Sequence, residues 1–423
     1  MVSRYKADRL LEDLSSEKRA ILGEFEALLE KIKESSAKAD LSGDFPQEGM
    51  ALLKEKGLST LMVPKEYGGR GGDLRDLTLA CYTLGRVCPS LALCFFFHCS
   101  ASSRGLLGLL ANEKGLFSGE EKDKVADFSR KILNLMGHEK KWFANFASES
   151  IKSEKAMVTV GTIAKKTARG YELTGTKAFG CSTGTADYYL VTAALEGTKD
   201  ASGLATFLLE RDQKGITERP PWDALGMRAT ATHGIHLDKV FVPFENALAI
   251  KGAFSRKMQV SRGSFVGNQM AATAVYLGAA AQLYSDTLET LKSRRFHDTG
   301  RSIAESAMHK ELIGKMTVQL ETAHLWLARQ LLLETKEPPP FEKEEVICQW
   351  RLCKGVVADA AFSVAVDALK ACGTSGTQSD TPQARGLRNL AMGLVQAFPS
   401  ERGRLEAASM IVTQKATSGF GGA

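Results

Sequence analysis

No Cys-x-x-Cys pair occurs in this chain. Its eight cysteines, at 81, 88, 94, 99, 181, 348, 353 and 372, have no companion histidines at metal-ligand spacing, so no metal site is expected. Most lie in apolar helical sequence, as reduced buried cysteines do. No secretory leader is expected either: Met1-Val-Ser-Arg-Tyr-Lys runs into charged helical sequence, and no apolar run is expected to reach membrane-spanning length. A soluble cytoplasmic protein with no membrane span is the expectation. A large net charge is lacking too. The net +6 is spread over 45.8 kDa with Lys and Arg interleaved among acids, which excludes a strongly basic nucleic-acid face. A mild positive field suits an anionic substrate or a cofactor phosphate.

What is present is ordinary globular composition, 25% charged and 44% hydrophobic over 423 residues, enough for two or three domains sharing a large core. The only long run with strand grammar lies between Tyr171 and Asn246. Tyr171 to Lys177 alternates apolar and polar residues and breaks at Gly175, which predicts two short strands joined by a tight turn. Further strands are expected at Ala186 to Ala193, Ala205 to Glu210 and His236 to Pro243.

Helical periodicity flanks this module. Ser15 is placed to cap a helix carrying Ile21, Leu22, Phe25, Leu28, Leu29 and Ile32 on one face. Residues 36–44 read as polar linker, and Gln47 to Lys56 as a helix ended by Gly57. The glycine-rich stretch Val63 to Gly72 reads as a connecting loop rather than a phosphate cradle. Leu74 to Leu110 predicts two buried helices, with His98 either a core histidine or a pocket residue. Beyond Val260 the expected helices are Gly267 to Arg295, Ser302 to Thr335, Pro340 to Ala371, Pro382 to Gln396 and Ser400 to Val412, a bundle of four or five.

Five ordered motifs carry a resemblance: Val63-Pro-Lys-Glu-Tyr-Gly-Gly69, Leu173-Thr-Gly-Thr-Lys-Ala-Phe179, Leu225-Gly-Met-Arg-Ala-Thr-Ala-Thr-His233, Leu237-Asp-Lys-Val-Phe-Val-Pro243 and a run from Ala368 to Leu405. Together they resemble the acyl-CoA dehydrogenase superfamily of flavoproteins. The resemblance implies an α+β fold with an N-terminal helical domain (1–141), a central β domain (142–259) and a C-terminal helical bundle (260–423). It also implies FAD, or reduced FMN as the alternative, and a homodimer or homotetramer. An electron-transfer flavoprotein or a flavin reductase is the implied redox partner.

The flavin contacts implied are Ser148, Phe179, Cys181, Ser182, Arg294, Gly373 and Gly376, the last two meeting the cofactor of a neighbouring subunit. A flavin ring needs a flat apolar slot with neutral donors at its edge. Phe179 and Cys181, alternating about Gly180, are expected on one strand face, with Ser182 and Thr183 beside them. Arg228 either holds a substrate phosphate or pins its loop. The family's pattern is broken at the catalytic base: its usual position falls on Ala397 and an alternative one on Asn268. Glu401, Glu149 and His98 are the substitutes considered. Three functions therefore follow, in order: oxidation of an acyl thioester at its α,β carbons, oxygenation by reduced flavin and O2, and a catalytically inactive binding subunit.

Overall fold

The computed structural model describes residues 5–11, 13–151, 160–198, 200–261 and 269–413. The expected cap on α1 (Ser16–Glu26) is present, Ser15 Oγ accepting from Lys18 N–H at 3.3 Å. The apolar stripe read as one helix is divided, because the chain turns at Ala27 and Leu28 before α2 (Leu29–Ser42). Residues 36–42 are helix rather than linker. Two of their polar side chains are buried and bonded: Ser36 Oγ donates to the Val87 carbonyl at 2.8 Å, and Asp40 pairs with Arg388. A polar residue satisfied inside the fold is indistinguishable in sequence from one facing water.

Next come α3 (Gln47–Glu55), α4 (Leu74–Val87), α5 (Pro89–Glu113) and α6 (Gly119–Gly137). Asp73 and Asp76 close a reciprocal capping box at the start of α4. Contrary to the sequence expectation, α5 is long and apolar enough by length and composition to cross a membrane. It is instead a core helix, 67% buried over that stretch.

The central domain is an eight-stranded sheet of β1 (Phe143–Phe146), β2 (Ile163–Lys166), β3 (Gly170–Lys177), β4 (Tyr188–Leu195), β5 (Leu204–Glu210), β6 (Ile216–Glu218), β7 (Ile235–Pro243) and β8 (Ala247–Leu248). Its order is β6-β7-β3-β2-β4-β5-β8, with β1 parallel to β4. The two strands expected about Gly175 are one: β3 runs through it, and the register against β7 shifts between Leu173 and Gly175. Gly175 sits at this bulge, and only glycine fits there, because a Cβ would lie 2.6 Å from the Thr162 Cα. Strands β2, β6 and β8 have no counterpart in the sequence reading, being only two to four residues long.

After α7 (Ala253–Gln259), the bundle consists of α8 (Gln269–Ser293), α9 (Ala307–Thr335), α10 (Lys343–Cys372), α11 (Pro382–Val395) and α12 (Ser400–Thr413), within a few residues of the expected ends. Helices α4 and α8 cross at backbone contact: a Cβ on Gly278 would sit 2.1 Å from the Tyr82 carbonyl oxygen, and one on Gly85 2.5 Å from that of Val275. A single apolar cluster containing Phe25, Phe95, Tyr189, Phe207, Tyr276 and Leu327 threads all three layers. The layers therefore share one core, and α8 is held in fixed register against the sheet.

Candidate functional site

The site forms where the chain leaves β3 and meets the loop before β7. β3 ends at Lys177, so Phe179 and Cys181 do not continue a strand face as expected. Gly180 lies flat on the Phe146 ring, where a Cβ would approach Cε1 to 2.2 Å, and Ser182 takes a left-handed φ of 66°. Backbone bonds from Ser182 N–H to the Thr230 carbonyl and from Thr183 N–H to that of Ala231, both 2.9 Å, clamp the two loops together. The result splits the pair. Phe179 stays 47% exposed, edge-on to Trp222 with centroids 5.9 Å apart, while Cys181 turns inward and accepts from Thr232 Oγ1 at 3.2 Å.

Cys181 has a second sulfur beside it. The adjoining Cys94 thiol, working against burial and aided by Thr232, holds the Cys181 thiol below its usual range, whereas burial pushes Cys94 up. Ser182 is directed away from any surface slot: its Oγ accepts from Trp142 Nε1 at 3.2 Å, within the core. Ser148 lies exposed nearby, its carbonyl accepting from Ala178 N–H at 3.0 Å.

Two buried polar atoms on or against α8, Tyr276 Oη and Gln396 Oε1, have no hydrogen-bond partner. Tyr276, on α8 and 2% exposed, has an unpaired hydroxyl whose proton is held by burial, reinforced by Cys181. Gln396 has an unpaired Oε1, while its amide donates to Gln269 Oε1 at 2.8 Å, two turns from Tyr276 along α8. Buried unpaired groups are costly unless something else fills their hydrogen bonds. An aromatic wall of Phe179 and Trp222, a thiol-hydroxyl edge at Cys181 and Thr232, and unsatisfied donors and acceptors behind it suit a flavin ring and a polar substrate.

The substitutes for the missing base are all occupied elsewhere. His98 is fully buried and stacked on Trp142 at 4.2 Å. Its Nδ1 accepts from Phe143 N–H at 3.0 Å and its Nε2 donates to the Ser59 carbonyl at 2.8 Å. Burial lowers its pKa to about 4, making it a neutral core histidine. Glu149 is ion-paired with the buried Lys177 at 2.5 Å and accepts from Gly161 N–H and from both the N–H and the hydroxyl of Thr162. Burial would raise its pKa, but the Lys177 charge and these donors outweigh that and hold it low. Glu401 is exposed on α12 and bonded to Arg404 at 3.0 Å. Its own backbone N–H and Arg404 keep it ionised.

Ala397 stands at a solvent-exposed corner with φ of 67°. The corner is fixed from below by buried Lys354, which donates to the carbonyls of Gly393, at 2.8 Å, and Phe398. Asn268 lies outside the described residues. Arg228 is a loop pin: its Nε donates to the Asp40 carbonyl at 3.0 Å and its Nη1 to Asp223 and the Ala224 carbonyl. At the far end of α8, Arg294 Nη1 donates to Ser375 Oγ at 3.0 Å, which joins it to the Gly373–Thr377 turn. His233 Nδ1 accepts from Trp222 N–H at 2.8 Å.

Trp222, Tyr276, Gln396, Cys94 and Thr232 were not identified from sequence. Tyr276 reads as one more apolar residue of a bundle helix, and only the fold shows that its hydroxyl is unpaired.

A helical layer, a β layer and a helical bundle meeting at an aromatic, carboxylate-poor wall define a flavoprotein fold. The chain belongs to the acyl-CoA dehydrogenase superfamily, whose flavin cofactor these residues fit. Models of its N-terminal, middle and C-terminal domains match residues 15–114, 141–240 and 270–398. It is similar to the short-chain specific acyl-CoA dehydrogenase of Clostridium acetobutylicum, 24% identical over 85% of this chain and 88% of that one. Butyryl-CoA dehydrogenase from Megasphaera elsdenii superposes with a TM-score of 0.77 at 23% identity, covering 95% of this chain and 99% of that one. Dibenzothiophene monooxygenase (TdsC) from Paenibacillus sp. A11-2 superposes with 0.76 at 20%, covering 95% and 100%. At such identities the superpositions establish the fold alone.

Proposed function

We propose that this chain is a flavin-dependent oxygenating enzyme, which receives reduced flavin from a reductase and uses O2 to oxidise a small organic substrate. This reverses the order read from sequence. The observation that carries it is the state of the carboxylates: Glu149 is held by four donors, Glu401 points to solvent beside Arg404, and the expected base position is Ala397. Removing a proton α to a thioester carbonyl requires a base within reach of that proton, and losing one typically costs about 10²- to 10⁴-fold. Oxygenation makes no such demand.

The flavin, when bound, supplies two electrons and the site of O2 reduction. The chain's own part is positioning and exclusion of water. The Phe179 and Trp222 rings would cover one side of the ring system, and Thr232 and Cys181 would line its edge. Tyr276, kept protonated by burial, would donate its hydroxyl proton in a hydrogen bond to an oxygen of substrate or cofactor. FMN is the flavin we favour over FAD, in keeping with the FMN-bound form of TdsC. A flavin reductase is the corresponding partner.

Oxidation of an acyl thioester is the second reading, favoured by the likeness to acyl-CoA dehydrogenases over most of the chain. The two differ in where the electrons originate. Purified protein with oxidised flavin, mixed anaerobically with a panel of acyl-CoA thioesters, should stay yellow. Reduced flavin plus O2 should give oxygenated product from a panel of sulfur heterocycles, amines and thioesters. Bleaching by any thioester would overturn the proposal in favour of dehydrogenation. Saturable flavin binding with neither reaction would leave the binding subunit.

A further inference from the structure

Among the described residues, three lysines are almost wholly removed from solvent: Lys177, Lys354 and Lys257, at 0%, 1% and 4% exposure. A buried ammonium needs an anion or a set of carbonyls around it. Lys177 has Glu149, and Lys354 has the carbonyls of Gly393 and Phe398. Lys257, on α7, has neither, and its Nζ is without a hydrogen-bond partner.

A second cation stands against it. Arg104, on the C-terminal half of α5, is partly buried with its guanidinium over the Phe254 ring, 5.6 Å from the centroid. Phe254 lies three residues before Lys257, so one face of α7 presents both to α5. No carboxylate among the described residues forms an ion pair with Arg104 or Lys257. Arg256, the neighbouring cation on α7, is taken by Glu121 at 2.6 Å. Burial, with Arg104 adding repulsion, lowers the Lys257 pKa to about 7, and burial lowers that of Arg104. Two like charges lie on facing helices, and no carboxylate among the described residues pairs with either.

We infer that Arg104 and Lys257 form an anion-binding site, whose ligand is the carboxylate or phosphate at the far end of the molecule that reacts at the Cys181 wall. The planar guanidinium supplies a two-pronged donor and the ammonium a point charge, a combination suited to an oxyanion. Cys94, at the wall, precedes Arg104 by ten residues on the same helix, about 15 Å along its axis. An extended substrate with one anionic end would have to span that interval. The ligand's identity rests on the function proposed above, but the existence of the site does not.

Calorimetric titration of the full-length protein with inorganic phosphate, and separately with glutarate, tests it. At least one anion should bind saturably, and both Lys257→Met and Arg104→Met should weaken that binding at least tenfold while flavin affinity is unchanged. Lys257→Met should also raise the melting temperature of the anion-free protein, because an uncompensated buried amine is replaced by an apolar chain. Preference for phosphate over glutarate would point to a phosphorylated carrier, and the reverse to an acidic substrate. Failure of both anions to bind, or equal binding by wild type and both variants, would overturn the inference. Anion binding without any flavin binding would instead remove the proposed function and leave the site.

Discussion

At the scale of single residues, the groups we assign to the proposed function are ones whose hydrogen bonds the chain leaves unmet. Most buried polar side chains here are satisfied, as His98 is on both ring nitrogens. Tyr276 is not, and it stands beside Cys181. Its hydroxyl gives the folded chain no hydrogen bond, so Tyr276→Phe should leave thermal stability unchanged or slightly higher. If the hydroxyl serves the reacting groups, the same change should lower turnover by about 10²-fold, the usual effect of removing one preorganised donor. Steady-state kinetics alongside a melting curve check both parts. Loss of stability with unchanged turnover would make Tyr276 a packing residue.

At the scale of elements, the Glu149–Lys177 pair ties the segment after β1 to the end of β3 and the approach to β2. Breaking one side leaves the other charge buried alone, which typically costs about 3–5 kcal/mol. Glu149→Gln should therefore destabilise by roughly that amount, and Lys177→Met added to it should recover part, as denaturant titration would show. The carboxyl's pKa is depressed below its ordinary 4.5 in the folded chain. Its contribution is present at neutral pH and is lost as pH falls from that value through the folded one. Glu149→Gln should thus show a shallower acid loss of stability than wild type; identical acid profiles would refute the linkage.

This pair also shows what the sequence could and could not reveal. Long periodic helices such as α8 to α12 were legible to within a few residues, because packing one face against a core leaves a repeating pattern. The flavoprotein layers were legible from ordered motifs. Short strands β2, β6 and β8 were not, since two to four residues cannot display a period. Nor could sequence tell that Glu149 faces Lys177 rather than a substrate, that Ser36 and Asp40 are buried, or that Phe179 and Cys181 part company at Gly180. Each depends on a partner 28 or more residues away or on a local left-handed turn.

At the scale of the whole molecule, the flavin contacts implied by resemblance fall at two separated places along α8. Tyr276 marks the wall, and Arg294, bonded to the Gly373–Thr377 turn, follows it by 18 residues along the line of α8, about 27 Å. A flavin whose ring lies at the wall cannot reach its own chain's Arg294 with its phosphates over that distance. A second copy could supply them. The outer face of α9 offers a surface for it: Val318, Leu325 and Leu332 recur every seven residues at 61%, 68% and 40% exposure, one stripe of the kind that pairs helices. We therefore expect light scattering to give two or four times the 45.8 kDa chain mass. Leu325→Lys with Val318→Lys should reduce it to one, since two charges placed within the stripe oppose its burial. The dissociated variant should keep its melting temperature within a few degrees yet bind flavin at least tenfold more weakly, because Gly373, Gly376 and Arg294 of the second copy are withdrawn. Wild type that is monomeric at micromolar concentration with flavin bound would show that each chain holds its cofactor alone. Undiminished flavin affinity in the dissociated variant would place the phosphate contacts elsewhere in the same chain.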